Sequence, residues 1–113
     1  MPSRYVPRPG DLISIDFNPQ AGREEAKRRP GIVLSPANYN AKAGLALVCP
    51  ITSRIKGYPF EVTLPSKLKA TGVVLVDQIK SLDWQTRSAR FIGPSTEDVL
   101  EEIRARLRAL LGL

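Results

Sequence analysis

The chain contains no histidine and only one cysteine, Cys49. Without histidine, no catalytic triad or acid–base pair can use imidazole, so a catalytic site has to use carboxylates, arginine, lysine or hydroxyl groups. A lone cysteine cannot form an internal disulfide, and with no histidine beside it a zinc site is not expected. We therefore predict neither a metal nor a cofactor, and we interpret Cys49 as a buried core residue in a reducing compartment.

The sequence also lacks the long apolar runs of a membrane protein. Its first ten residues contain three prolines and no apolar stretch of the kind found in a signal peptide. We expect a cytoplasmic protein with no membrane contact. Its 113 residues suffice for one domain, and no repeat or linker divides them, so we predict a single domain over residues 1–113.

Acidic residues are fewer than basic ones. Seventeen lysines and arginines face eleven aspartates and glutamates, which gives a net charge of +6. A positive net charge favours a polyanionic partner, although an acidic protein would be attracted by the same charge.

Alternating apolar residues predict a small, mostly antiparallel β-structure. Residues 11–17 place Ile13, Ile15 and Phe17 on one face and Leu12, Ser14 and Asp16 on the other. Further strands are expected at 31–35, 45–51, 60–64, 73–76 and 87–92.

Two helices are expected between and after these strands. A short helix should begin at Ser35, as cap, with Pro36 at its first position, and end at Gly44. The chain should close with an amphipathic helix capped by Ser95, whose early residues are acidic and whose late residues are basic.

The strands at 31–35 and 45–51 suggest a binding site. If they pair antiparallel, the start of the first lies beside the end of the second, and Arg28 and Arg29 face Thr52 and Ser53. Guanidinium groups beside hydroxyls suit an anion, above all a phosphate. The alternative is a pair of exposed arginines next to an ordinary strand-end turn.

Several segments together resemble the MazF/PemK family of toxin endoribonucleases: GDLISIDFNP, AGREEAKRRP, GIVLSPANYN, VCPITSRIKGYPFEV and VVLVDQIKS. The resemblance covers nearly the whole chain. It implies a mainly β fold, an SH3-like small antiparallel barrel of the CcdB/PemK kind with a C-terminal helix. It also implies a homodimer that cleaves single-stranded RNA without metal and is neutralised by an acidic, MazE-like antitoxin.

The resemblance assigns the active-site pair to Arg29, in the R-P pair, and Thr52, after P-I. The implied reaction is attack of a ribose 2′-hydroxyl on the adjacent phosphorus, which leaves a 2′,3′-cyclic phosphate and a 5′-hydroxyl. Arg29 would stabilise charge on the phosphate oxygens. Thr52 would hydrogen-bond the same phosphate or orient the attacking hydroxyl.

Carboxylates are the remaining candidates for proton transfer, namely Asp16, Glu24 and Asp77. Glu24 matches the family's A-G-x-E motif and Asp77 its D-Q motif. Some relatives have arginine two places before that aspartate and histidine just before that glutamate, where this chain has Leu75 and Arg23. An acid–base scheme that needs those side chains does not transfer. The alternative for Asp77 is a turn residue that caps the next segment.

RNA contacts are expected from polar, basic and aromatic side chains around this site. Lysines can meet phosphates, a tyrosine can stack on an unpaired base, and amides can read base edges. The predicted set is Asn18, Gln20, Arg28, Ser53, Lys56, Tyr58, Gln78 and Lys80. Phe17 is expected in the core, and Trp84 in the core or an interface.

Two other functions stay open from the sequence. A CcdB-like toxin on the same fold binds gyrase, and such toxins end in tryptophan-glycine-isoleucine. This chain ends in Leu111, Gly112 and Leu113, without the aromatic anchor. An RNA-binding barrel without catalysis is the second alternative.

Overall fold

A computed structural model describes residues 5–18 and 28–113 of the chain. The strands are β1 (Asp11–Asp16), β2 (Arg28–Val33), β3 (Ala46–Thr52), β4 (Glu61–Thr63), β5 (Val73–Leu75), β6 (Lys80–Leu82) and β7 (Arg90–Pro94). The helices are α1 (Ala37–Ala43) and α2 (Glu97–Leu111), and a 3-10 turn spans Val76–Gln78. No helix in the described ranges is long and apolar enough to span a membrane.

All paired strands are antiparallel, and β3 is the centre of the sheet. One edge of β3 pairs with β2, which continues through β1 to β7. Its other edge pairs with β6 over residues 46–48 and with β5 at residues 51 and 52, and β5 continues to β4. The predicted mainly β fold with a C-terminal helix is confirmed, although the described part of the sheet is not closed.

Apolar residues cover both faces of this sheet. Ile13 and Ile15 pack with Trp84 in one cluster, whereas Leu12, on the opposite face of β1, packs with Ile103 of α2 in the other. The alternation placed Leu12 with the polar residues Ser14 and Asp16 on the second face of β1. The second face is buried because α2 lies over it, as the helix's own apolar residues required.

The predicted helix caps are wrong at both helices. Thr96 caps α2, since its Oγ1 accepts a hydrogen bond from the Val99 amide at 3.2 Å. The Ser95 hydroxyl instead donates to the carbonyl of Gly10 at 2.6 Å. Pro36 precedes the first residue of α1 and makes no side-chain cap. The predicted end of that helix at Gly44 is confirmed, with Gly44 in the left-handed conformation.

Ser35 belongs to a buried polar cluster around Asn40. Its hydroxyl donates to Asn40 Oδ1 at 2.6 Å and accepts from the Leu47 amide at 2.8 Å. Asn40 Nδ2 donates to the carbonyls of Pro7 and Ser35, and the Asn40 carbonyl accepts from Trp84 Nε1 at 3.0 Å. This cluster joins the N-terminal segment and α1 to the start of β3, and it places Trp84 in the core.

Candidate functional site

A pocket of about 150 Å³ opens beside the end of β3. It is lined by Thr52, Arg54, Lys56, Tyr58, Glu61, Leu75, Asp77 and Gln78. Five of these residues are candidates from the sequence. The structure adds the side chains of Arg54, Glu61 and Leu75, so the pocket contains two cations and two carboxylates around a hydroxyl.

Thr52 is the last residue of β3 and is half-buried. Its Oγ1 accepts a hydrogen bond from the Arg54 amide at 3.1 Å, so its O–H can still donate to a phosphate oxygen. Gly72 lies against the backbone of Thr52, and a Cβ at Gly72 would overlap the Thr52 carbonyl oxygen. Only glycine fits there, because its φ of 112° is also unfavourable for other residues.

Arg29 does not line this pocket and lies on β2, the strand that pairs with β3. The β2–β3 register pairs Gly31 with Pro50, and two further residues along each strand are Arg29 and Thr52. Positions two apart share a face of the sheet, so this register places both side chains on the same face. The Arg29 side chain is exposed to solvent.

Arg28 does not face Thr52 and Ser53, and that prediction is wrong. Its Nη2 donates to the carbonyls of Ser14 and Ser88, both at 2.7 Å, and its Nε donates to the Ser14 hydroxyl at 3.2 Å. Neighbouring residues of a strand point to opposite faces of the sheet, so Arg28 and Arg29 cannot both face Thr52. Arg28 therefore ties β2 to β1 and to the turn before β7. Ser53 is exposed and does not line the pocket.

The β3–β4 loop, residues 53–60, is held in shape by hydrogen bonds to its backbone. Glu61 accepts from the amides of Lys56 and Gly57, and Arg106 Nε donates to the Pro59 carbonyl at 2.8 Å. The Lys56 ammonium lies 5.7 Å from the centre of the Tyr58 ring, within the range of a cation–π contact. Lys56 and Tyr58 are exposed. The loop thus offers a cation and an aromatic face to solvent.

The three candidate carboxylates differ in their exposure and in their position relative to the pocket. Asp77 lies exposed on the 3-10 turn and lines the pocket. Burial, and then the negative charge of Asp77, raise the pKa of Cys49 to about 12. Asp16 is buried, its Oδ1 accepts from the Asn18 amide at 2.9 Å, and it does not line the pocket. Glu24 lies outside the described residues.

The remaining predicted RNA-binding residues are spread more widely. Gln78 lines the pocket, whereas Lys80 pairs with Val48, about 13 Å along β3 from Thr52. Asn18 lies at the end of β1, where its carbonyl accepts from Arg87. Gln20 lies outside the described residues. Within residues 5–18 and 28–113, no group of three or more histidine, cysteine or acidic residues could hold a metal ion.

Sequence comparison gives the chain clear relatives. It is 47% identical over 112 residues to the endoribonuclease toxin MazF of Escherichia coli K12, and the alignment covers 99% of this chain and 100% of that protein. It is 34% identical to the endoribonuclease toxin ChpB of the same strain, over 90% of this chain and 91% of that protein.

Solved structures agree with this relationship. The fold matches MazF (Form-I) from Deinococcus radiodurans with a TM-score of 0.89 and 54% identity, covering 97% of this chain and 100% of that one. It also matches MazE–MazF (Form-II) from the same organism with a TM-score of 0.87 and 49% identity, over 97% and 99% of the two chains. Residues 8–111 match the family described as PemK-like, MazF-like toxin of type II toxin–antitoxin system. This chain belongs to that family, as its sequence motifs predicted.

Proposed function

We propose that this chain is an endoribonuclease toxin that cleaves single-stranded RNA, above all mRNA, without a metal ion. The observation that carries the proposal is the β2–β3 register, which, continued by two residues from the Gly31–Pro50 pair, puts Arg29 beside Thr52 and near a pocket rimmed by Arg54 and Lys56. The MazF and ChpB relatives are endoribonucleases by name. The net charge of +6 fits the same substrate.

The two residues have complementary roles at the scissile phosphate. As the ribose 2′-oxygen attacks phosphorus, negative charge grows on the non-bridging oxygens, and the Arg29 guanidinium can supply on the order of 3 kcal/mol of stabilisation. The Thr52 hydroxyl donates to the same phosphate. The new bond closes a 2′,3′-cyclic phosphate, the bond from phosphorus to the 5′-oxygen breaks, and that oxygen gains a proton.

A separate group must take the proton from the 2′-hydroxyl, because arginine stays protonated at physiological pH. Asp77 is our candidate, since it is exposed in the pocket that contains Thr52. Asp16 is less suited, because its carboxylate is buried and already accepts the Asn18 amide. Glu24 is the second candidate, on the family motif alone.

RNA on either side of the cleaved phosphate would lie along the β3–β4 loop. Arg54 and Lys56 would bind phosphates, and the exposed ring of Tyr58 would stack on an unpaired base. Gln78, at the edge of the same pocket, would read a base edge. Lys80 and Ser53 would make outer contacts, since neither lines the pocket.

We also propose an acidic, MazE-like antitoxin that covers this basic surface. Similar solved structures are complexes of MazE with MazF, and the excess of positive charge here suits an acidic segment. A homodimer is proposed because Phe91, on the end strand β7, is 52% exposed. We place the toxin in the cytoplasm, where its substrate is found.

The family match and the endoribonuclease relatives favour RNA cleavage over a gyrase-directed toxin. One assay tests this choice. The purified protein is incubated with a long single-stranded RNA in EDTA, and the ends of the products are identified. We expect cyclic-phosphate and 5′-hydroxyl ends from the parent protein and a rate at least about a hundredfold lower from Arg29→Ala.

Arg28→Ala is the matched control. It should lower the free energy of unfolding by about 2 kcal/mol, through the lost backbone contacts, and still cleave RNA while folded. Arg29→Ala should unfold within about 0.5 kcal/mol of the parent protein. Cleavage that requires added magnesium would contradict the mechanism, and binding without cleavage would support the non-catalytic alternative.

A further inference from the structure

We propose that Glu61 is a positioning residue, whose carboxylate fixes the β3–β4 loop in the shape that presents Lys56 and Tyr58 to RNA. Glu61 would touch neither the reacting phosphate nor a base. The inference rests on the proposed function, because it explains how the RNA-binding loop of that function keeps its shape.

The geometry of the loop carries this inference. Glu61 is the first residue of β4 and is 9% exposed. Its Oε1 accepts from the Gly57 amide at 2.9 Å and from the Lys56 amide at 3.2 Å, and its Oε2 lies 3.2 Å from the same Lys56 nitrogen. Gly57 has a φ of 82°, so the chain turns back at this point and its amides converge on the carboxylate.

The bonds to Glu61 are important because the loop has few other restraints. Residues 53–59 are all exposed and have no helix or strand hydrogen bonds. The remaining ties run from the Arg54 amide to Thr52, from the Glu61 amide to the Tyr58 carbonyl at 3.1 Å, and from Arg106 to the Pro59 carbonyl. Glu61 is therefore the side chain that holds the middle of the loop, where Lys56 and Gly57 are found.

The negative charge of Glu61 by itself opposes RNA binding. A carboxylate in the pocket repels phosphate, so removal of its charge alone should strengthen RNA binding. A positioning role predicts the opposite result. Without the carboxylate, RNA binding has to order the loop, and the entropy of ordering is subtracted from the affinity. The two roles therefore predict opposite changes in RNA affinity when the Glu61 carboxylate is removed.

The test compares Glu61→Gln with Glu101→Gln, which removes the same charge from an exposed site on α2. For Glu61→Gln we expect KM for a short RNA to rise about tenfold, the equivalent of one charge-assisted hydrogen bond, while kcat stays within about twofold. Hydrogen exchange of the Lys56 and Gly57 amides should become faster in that variant. Glu101→Gln should leave both amides unchanged and leave KM equal or slightly lower.

Glu61→Asp is the second variant, which keeps the charge but has a side chain too short to reach both amides. A raised KM and faster amide exchange in this variant would support positioning, even if Glu61→Gln did not fold. An unchanged or lower KM in the Glu61 variants, or unchanged exchange at Lys56 and Gly57, would overturn the proposal. If the parent protein did not cleave RNA, the proposed function would fail, whereas amide exchange would still test the hold of Glu61 on the loop.

Discussion

The two ends of strand β3 use polar residues in opposite ways. At its start, Ser35, Asn40 and the Trp84 indole bind one another or nearby backbone groups, and all are buried. At its end, Thr52 is half-buried and leads into an exposed loop. Burial without partners is costly, so the closed end has to satisfy its polar groups internally. The open end keeps polar groups available for a ligand.

Arg28 and Arg29 repeat this contrast one residue apart. Arg28 binds the carbonyls of Ser14 and Ser88, whereas Arg29 is exposed on the face shared with Thr52. The alternation of a strand is enough to separate a structural arginine from a candidate catalytic one. A cluster of arginines in a sequence is therefore weak evidence for the role of each member.

The largest effect on stability is expected at the closed end. Asn40→Ala removes the partners of the Ser35 hydroxyl and the Pro7 carbonyl inside the core. We expect the free energy of unfolding to fall by about 3 kcal/mol and the melting temperature by roughly 10 °C. Denaturant unfolding measures the first and calorimetry the second.

The RNA cleavage rate of Asn40→Ala tests whether the start of β3 affects catalysis at its end. At a temperature where Asn40→Ala is folded, its single-turnover rate should stay close to that of the parent protein. Ser35→Ala is a milder variant for use if Asn40→Ala does not fold. A large loss of cleavage by folded protein would show that the two ends of β3 are not independent.

Much of the fold followed from sequence pattern. Alternation predicted β1, and apolar runs bounded by proline and glycine predicted β3 within one residue of its observed bounds. The run at 31–35 predicted β2, but that strand begins three residues earlier, at Arg28, and ends at Val33. The helix α2 followed from its 3.6-residue period. Strand β6 was missed, because three residues, one of them apolar, give no readable pattern. The caps were misassigned because neither serine hydroxyl binds an amide of the first turn of its helix. Ser35 binds the Asn40 side chain and the Leu47 amide, and Ser95 binds the Gly10 carbonyl.

The site was predictable where it depended on strand pairing. Antiparallel pairing alone brought Arg29 to Thr52, and the register supports it. The orientation of Arg28 depends on Ser14 and Ser88, which no local pattern connects to it. Glu61 was missed as well, because the alternation that predicted a strand at 60–64 does not indicate what this side chain contacts. Its burial against the loop amides comes from the tertiary fold.

An effect that depends on pH should appear between the two ends, at Cys49. Burial and the charge of Asp77 raise the thiol pKa from 9.0 to about 12. The unfolded chain therefore loses the thiol proton at a lower pH than the folded chain does. The stability contribution is complete below pH 9 and is lost between pH 9 and 12, by up to about 1.4 kcal/mol per pH unit.

Denaturant unfolding at several pH values between 8 and about 11 checks this sign. Tyr5 also has a raised pKa, through burial and its hydrogen bond to Asp11, so the alkaline loss has two sources. The difference between the parent protein and Cys49→Ala isolates the thiol. If the free energy of unfolding fell equally with pH in the two proteins, the folded thiol would not have a raised pKa, and solvent would have to reach Cys49.

The most direct test of the division between the two ends is the single-turnover cleavage rate of Thr52→Val against Thr52→Ser. Valine keeps the shape of threonine without the hydroxyl, and serine keeps the hydroxyl. We predict that Thr52→Ser stays within about tenfold of the parent rate, while Thr52→Val falls by about a hundredfold, as expected when one transition-state donor is removed. Both variants should unfold within about 1 kcal/mol of the parent protein. Equal cleavage by the two variants would contradict the role of the Thr52 hydroxyl, and with it the assignment of the open end of β3 to RNA chemistry.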